Sequence, residues 1–195
     1  MRGKRYLRLV RRDRAGMRAI VEGKLYQGDI GDLNVLKIPE TRDRLGFTLA
    51  VNVGHTPFVP RGVRTIYLIM QDRTGYEANP WDLILDVAAL VAGEILRGGK
   101  VLVTCDAGLS RSVVFCGIVL AFMERRPMDA ELFDRVSTDF TLPELWDNAA
   151  RAIALRAAPE AKIFKTFGHM ETYYTRPKDK RDIFDVVDDF IFGED

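Results

Sequence analysis

The sequence holds only two cysteines among 195 residues, so no disulfide framework staples it. Its formal net charge of +1 gives no overall pull toward nucleic acid or an anionic membrane. No apolar run is long and uninterrupted enough to cross a bilayer, and no secretory leader pattern is visible. Internal repeats and low-complexity tracts are missing as well. What is present is the composition of an ordinary globular chain. With 47% hydrophobic residues it can fill one core, and one folded domain is expected. The expected setting is the reducing cytoplasm.

Positive and negative charges nearly cancel, but they lie unevenly along the chain. Arg2, Lys4, Arg5, Arg8, Arg11, Arg12 and Arg14 make the start basic, and the stretch Asp182 to Asp189 is acidic with apolar residues interleaved. Two solvated termini are the plain reading; docking of the acidic tail on the basic head or on a partner is the sharper one.

The informative segment runs from Val101 to Phe115. An apolar, strand-like run ends in Thr104-Cys105, five residues separate Cys105 from Arg111, and a second apolar run long enough for a helix follows. Each part has a chemical reason to be there. Helix N-termini and neighbouring cations favour the thiolate form of a cysteine. Backbone N–H groups of Asp106, Ala107, Gly108, Leu109, Ser110 and Arg111 can form an anion-binding nest, with the positive end of the following helix aimed at it. Gly108 permits a tight turn. The planar fork of Arg111 matches two phosphate oxygens. Cys105 is thus expected to attack phosphorus in line and form a cysteinyl-phosphate.

This loop resembles the Cys-x5-Arg-Ser/Thr loop of the cysteine-dependent protein tyrosine phosphatases. Ala107-Gly108 and Ser110-Arg111-Ser112 make it most similar to the dual-specificity branch. Leu25-Tyr26-Gln27-Gly28 and the run from Thr48 to Val53 resemble further segments of that branch. The resemblance implies an α/β fold with a mostly parallel central sheet flanked by helices. It implies hydrolysis of phosphotyrosine, and more broadly of phosphoserine and phosphothreonine, in a protein or peptide partner, with no cofactor and no metal. It also implies that the Ser112 hydroxyl steadies the thiolate as it leaves the intermediate. One position departs from the pattern: Thr104 stands where the family usually has histidine, and its hydroxyl is expected to supply part of that hydrogen-bonding role.

Expelling an alkoxide needs a proton donor opposite the sulfur, and the family takes an aspartate from a loop after an apolar strand. Asp72 fits, lying past Ile66 to Met70 in a polar stretch closed by Gly75. Asp82 competes, but Asn79 reads as a helix N-cap and Pro80 as the first helical residue. Asp82 then serves the helix dipole. Other readings keep the loop and change the function. A phosphoinositide or RNA 5′-phosphatase would usually add lysines to the loop, whereas Asp106 repels extra negative charge. A weakened phosphate-binding module is motivated by Thr104. A rhodanese-type sulfurtransferase would not need Arg111-Ser112 running straight into a helix. Cys116 is expected in the core, with a disulfide to Cys105 as the alternative, and His169 is read as structural.

Along the chain, two strands turning at Gly23 are expected over 18–29, and a helix over 33–45 broken at Pro39. Strands follow over 48–53, 64–70 and 100–104. Helices are expected over 80–97, 110–125, 129–139 and 143–157. Such alternation predicts a mostly parallel sheet with the Cys105 loop at the carboxyl end of a central strand. The expected organisation is a basic segment over 1–17, a catalytic domain over 18–158 and an extension over 159–195.

Overall fold

The computed structural model describes residues 16–73 and 75–157. The basic head, His169 and the acidic tail lie outside these residues. Five strands, β1 (Arg18–Val21), β2 (Leu25–Gly28), β3 (Leu49–Asn52), β4 (Arg64–Tyr67) and β5 (Val101–Thr104), form one sheet in the order β1-β2-β5-β3-β4. Only the β1–β2 hairpin is antiparallel. β5 is central, with Thr104 level with Gly28 on one side and Asn52 on the other. The carboxyl ends of β2, β3 and β5 therefore stop together, and the loops that follow them open at one edge.

Side chains of a strand alternate between faces, and the core divides accordingly. Val101 and Val103 of β5 pack with the larger apolar cluster, under α3 (Trp81–Leu96), α4 (Arg111–Glu124), α5 (Ala130–Val136) and α6 (Pro143–Ala157). Leu102 packs with Met17, Tyr26, Leu33, Leu36, Phe47 and Ala50, where α1 (Ile30–Asn34) and α2 (Pro39–Leu45) cover the other face. From Val113 through Phe122 every side chain of α4 is buried, as a helix that is apolar all round should be. At Gly117 the helix leaves no room for a side chain: a Cβ there would stand 2.4 Å from the Trp146 ring of α6.

The structure corrects four expected boundaries, each for a local reason. The first helix begins at Ile30 because Asp29 and Asp32 form a reciprocal capping box. β4 ends at Tyr67, where β3 runs out of paired residues, although Leu68 and Met70 still donate to the carbonyls of Asn52 and Val53. α3 begins at Trp81 after Pro80 with no side-chain cap, because Asn79 is occupied elsewhere. α5 keeps its expected Asp129 cap but stops at Val136, where the Arg18 side chain from the edge strand takes the carbonyls of Val136 and Ser137.

Candidate active site

Cys105 follows the last residue of β5 and is 2% exposed. The loop 105–110 runs directly into α4, whose first turn carries Arg111 and Ser112. Ser112 Oγ lies 3.2 Å from Cys105 Sγ. The Gln27 amide of β2 donates to Ser112 Oγ at 3.1 Å and to the Gly108 carbonyl at 2.6 Å. With a lone pair of that hydroxyl taken by Gln27, its hydrogen is free to point at the sulfur. Gly108 has φ 66, and a Cβ there would come within 2.9 Å of the Gly28 carbonyl. Glycine is thus required twice over, by conformation and by space.

Other carbonyls of the loop are also drawn outward. The Ile30 N–H reaches the Asp106 carbonyl at 3.5 Å, and Thr138 Oγ1 donates to the Leu109 carbonyl at 2.7 Å. A loop whose carbonyls turn outward leaves its N–H groups facing the enclosed side, where the sulfur sits.

Arg111 is held on three sides. Its Nη2 donates to Asp106 Oδ2 at 2.8 Å, and its Nη1 stands 2.7 Å from His55 Nδ1 and 3.5 Å from the Met70 carbonyl. Its Nε stands 2.9 Å from Asp72 Oδ2, an ion-pair contact outside hydrogen-bond geometry, so that buried N–H has no hydrogen-bond acceptor. The Asp72 side chain is 40% exposed. Its position comes from Asn79, whose amide brackets the preceding residue. Asn79 Oδ1 accepts from the Gln71 N–H at 2.8 Å, and its Nδ2 donates to the Gln71 carbonyl at 3.2 Å.

The loop after β3 completes the arrangement. Buried Asn52 donates to the carbonyls of Thr56 and Phe58 and accepts from the Gly54 N–H. This folds the backbone so that the N–H groups of His55 and Thr56 each donate to the Asp106 carboxylate at 2.9 Å. Burial alone would raise the pKa of Asp106. The hydrogen bonds from Thr56, His55 and Arg111 outweigh it and hold the carboxyl well below the usual carboxylate range. The buried Cys116 thiol in α4 is pushed the other way, up to about 12 by desolvation.

No family model matches the sequence, and no curated protein sequence does. Comparison of the fold is informative. Human DUSP28 aligns with a TM-score of 0.55 at 22% identity, over 70% of this chain and 90% of its own. The human tyrosine phosphatase-like serine/threonine/tyrosine-interacting protein gives a TM-score of 0.60 at 20% identity, over 76% of this chain and all of its own. DUSP15 gives 0.54 at 17% identity, over 72% and 92%. The chain has the dual-specificity phosphatase fold.

On this phosphatase fold, Cys105, Arg111, Ser112 and Asp72 converge on one loop. Asp82 does not join them through any contact described above: it sits in the first turn of α3, and its carbonyl accepts from Arg156. Three expectations are corrected. Asn79 is not a helix cap but the clasp on Gln71. Thr104 does not hydrogen-bond toward the thiol. Its hydroxyl is buried and unpartnered, because Thr104 follows the parity of Leu102 while Cys105 packs with the opposite cluster. Asp106 does not present a free charge to the loop, since its carboxylate is spent on Arg111 and on two backbone N–H groups. Cys105 and Cys116 are both free thiols.

Gln27, Asn52 and His55 are neighbours of this loop that sequence reasoning missed. Their signal was polar residues at or just past the ends of strands whose carboxyl termini were expected to share one edge.

Proposed function

We propose that this protein is a phosphomonoester hydrolase of the protein tyrosine phosphatase type, with the catalytic unit over 18–158. The observation that carries this reading is the Cys105 sulfur within 3.2 Å of the Ser112 hydroxyl, beside an arginine whose Nε meets Asp72 only as an ion-pair contact outside hydrogen-bond geometry. The phosphate of the substrate takes the inner N–H groups of the loop and the Nε edge of Arg111, displacing Asp72 from that edge. Cys105 then attacks phosphorus as the thiolate. The S–P bond forms, the P–O bond to the leaving group breaks, and Asp72 gives its proton to the departing oxygen. In the second step Asp72 takes a proton from water, water oxygen bonds to phosphorus, and the S–P bond breaks with Ser112 donating to the returning thiolate. Protein phosphotyrosine is the favoured substrate class, with phosphoserine and phosphothreonine as the wider range, because the loop carries no lysine for a second phosphate.

Hydrolysis of p-nitrophenyl phosphate is expected to survive a chelator, to be blocked by orthovanadate and to disappear in Cys105→Ser. Turnover that persists in Cys105→Ser contradicts the proposal. Phosphopeptide binding without turnover would identify a binding module instead, and preference for phosphoinositides over phosphopeptides would move the substrate class.

A further inference from the structure

His55 is half exposed, its side chain 48% accessible, yet both of its backbone polar groups are held. Its N–H is held by the Asp106 carboxylate and its carbonyl accepts from the Tyr67 hydroxyl, both at 2.9 Å. Its ring then reaches two groups that belong to different parts of the proposed mechanism. Nδ1 faces Arg111 Nη1 at 2.7 Å, and Nε2 faces Gln71 Oε1 at 3.0 Å. Asp106 Oδ2 is farther from Nδ1, at 3.7 Å, beyond hydrogen-bond reach, and a guanidinium has only hydrogens to give, so Nδ1 serves as the acceptor toward Arg111. Nε2 then carries the hydrogen and donates to the Gln71 side-chain oxygen. The two contacts together fit the tautomer with its hydrogen on Nε2.

We propose that His55 is a positioning residue that ties the phosphate clamp to the segment bearing Asp72. This rests on the phosphatase reading above. At Nδ1, it holds the guanidinium of Arg111 with Nη2 on Asp106 and Nε toward Asp72, the edge that phosphate is proposed to take. At Nε2, it anchors Gln71, the residue before Asp72, whose backbone Asn79 already holds. The two roles are separable because they use different nitrogens. Anchoring Arg111 governs phosphate affinity, and anchoring Gln71 governs how well Asp72 serves a leaving group that needs protonation.

The test uses the full chain with inorganic phosphate in calorimetry, and aryl phosphates with good and poor leaving groups in kinetics. His55→Phe removes both anchors. It is expected to weaken phosphate binding and raise KM roughly tenfold, the scale of one hydrogen bond to a charged group. Its kcat should fall more with phenyl phosphate than with p-nitrophenyl phosphate. His55→Asn keeps an acceptor where Nδ1 was but cannot reach Gln71. It should recover phosphate affinity and keep the leaving-group defect. Gln71→Met should show the leaving-group defect alone.

Phosphate affinity unchanged in His55→Phe overturns the inference. Equal losses in His55→Phe and His55→Asn, with thermal midpoints unchanged, also overturn it, since they mean packing rather than hydrogen bonding. If the wild type lacks turnover that depends on Cys105, the phosphatase reading fails by itself, and the phosphate affinities still decide whether His55 orients Arg111.

Discussion

At the scale of single residues, the decisive group is Asp106. One carboxylate accepts from the Arg111 guanidinium and from two backbone N–H groups of the neighbouring loop, and so fixes Arg111 and the 54–58 turn together. Its pKa is depressed in the folded chain, so its contribution to stability is present above the unfolded value of ~3.9 and is lost as pH falls through the lower folded value. Asp106→Asn is expected to cost about 1–3 kcal/mol at neutral pH, the range for charge-assisted hydrogen bonds. In urea unfolding at several pH values, the gap between wild type and variant should narrow below about pH 4. A gap that stays constant into acid would mean that the charge of Asp106 is irrelevant. Gly54 belongs to the same contact, since a Cβ there would meet the Asp106 N–H nitrogen at 2.9 Å.

At the scale of elements, the segment from Met70 to Asp72 is positioned without being a strand or a helix. β4 stops at Tyr67, so sheet pairing cannot hold Asp72, and the clasp of Asn79 on Gln71 replaces it. Asn79 is buried, and the Trp81 N–H donates to its carbonyl, so the clasp is seated on the start of α3. Asn79→Ala should destabilise the chain by about 1–3 kcal/mol, because two part-buried backbone groups of Gln71 lose their partners. It should also lower kcat for poor leaving groups while KM changes little. Measured stability and kcat both equal to wild type would show that the segment holds itself. The strand–loop–helix unit of β5 and α4 relies on a different device, glycine at 108 and the Gln27 amide, which together hold the loop against β2.

At the scale of the whole molecule, the fold closes on itself through contacts distant in sequence. Arg18 on the edge strand β1 supplies the terminal carbonyls of α5 with donors, and desolvation lowers its pKa there. α5 in turn leads into the 138–142 turn, where Thr138 and Thr141 both bond the Leu109 carbonyl and the Leu142 N–H donates to Ser110 Oγ. The edge strand is thereby linked to the Cys105 loop through one helix. Arg18→Met keeps most of the apolar stem but removes both donors, and should lower stability by about 1–3 kcal/mol. Hydrogen exchange should reveal the loss first at Val136 to Thr141. Uniform loss of protection across the chain would mean that Arg18 acts through the core instead. Among the described residues no helix is long and apolar enough to cross a membrane.

The sequence by itself determined the strand–helix alternation and the loop that joins Cys105 to Arg111. Those features are local: hydrophobic period, turn residues and the spacing of a motif are properties of adjacent residues. Only the tertiary structure decided which polar groups meet. Asn79 follows Gln71 by eight positions and reads as a helix cap until the chain folds back on itself. Thr104 adjoins Cys105 in sequence, but strand alternation turns its hydroxyl to the other face. His55 and Arg111 are far apart in the chain, and parallel pairing of β3 with β5 brings them within a hydrogen bond. Register across a sheet is set by pairing between strands, and no window of sequence contains it.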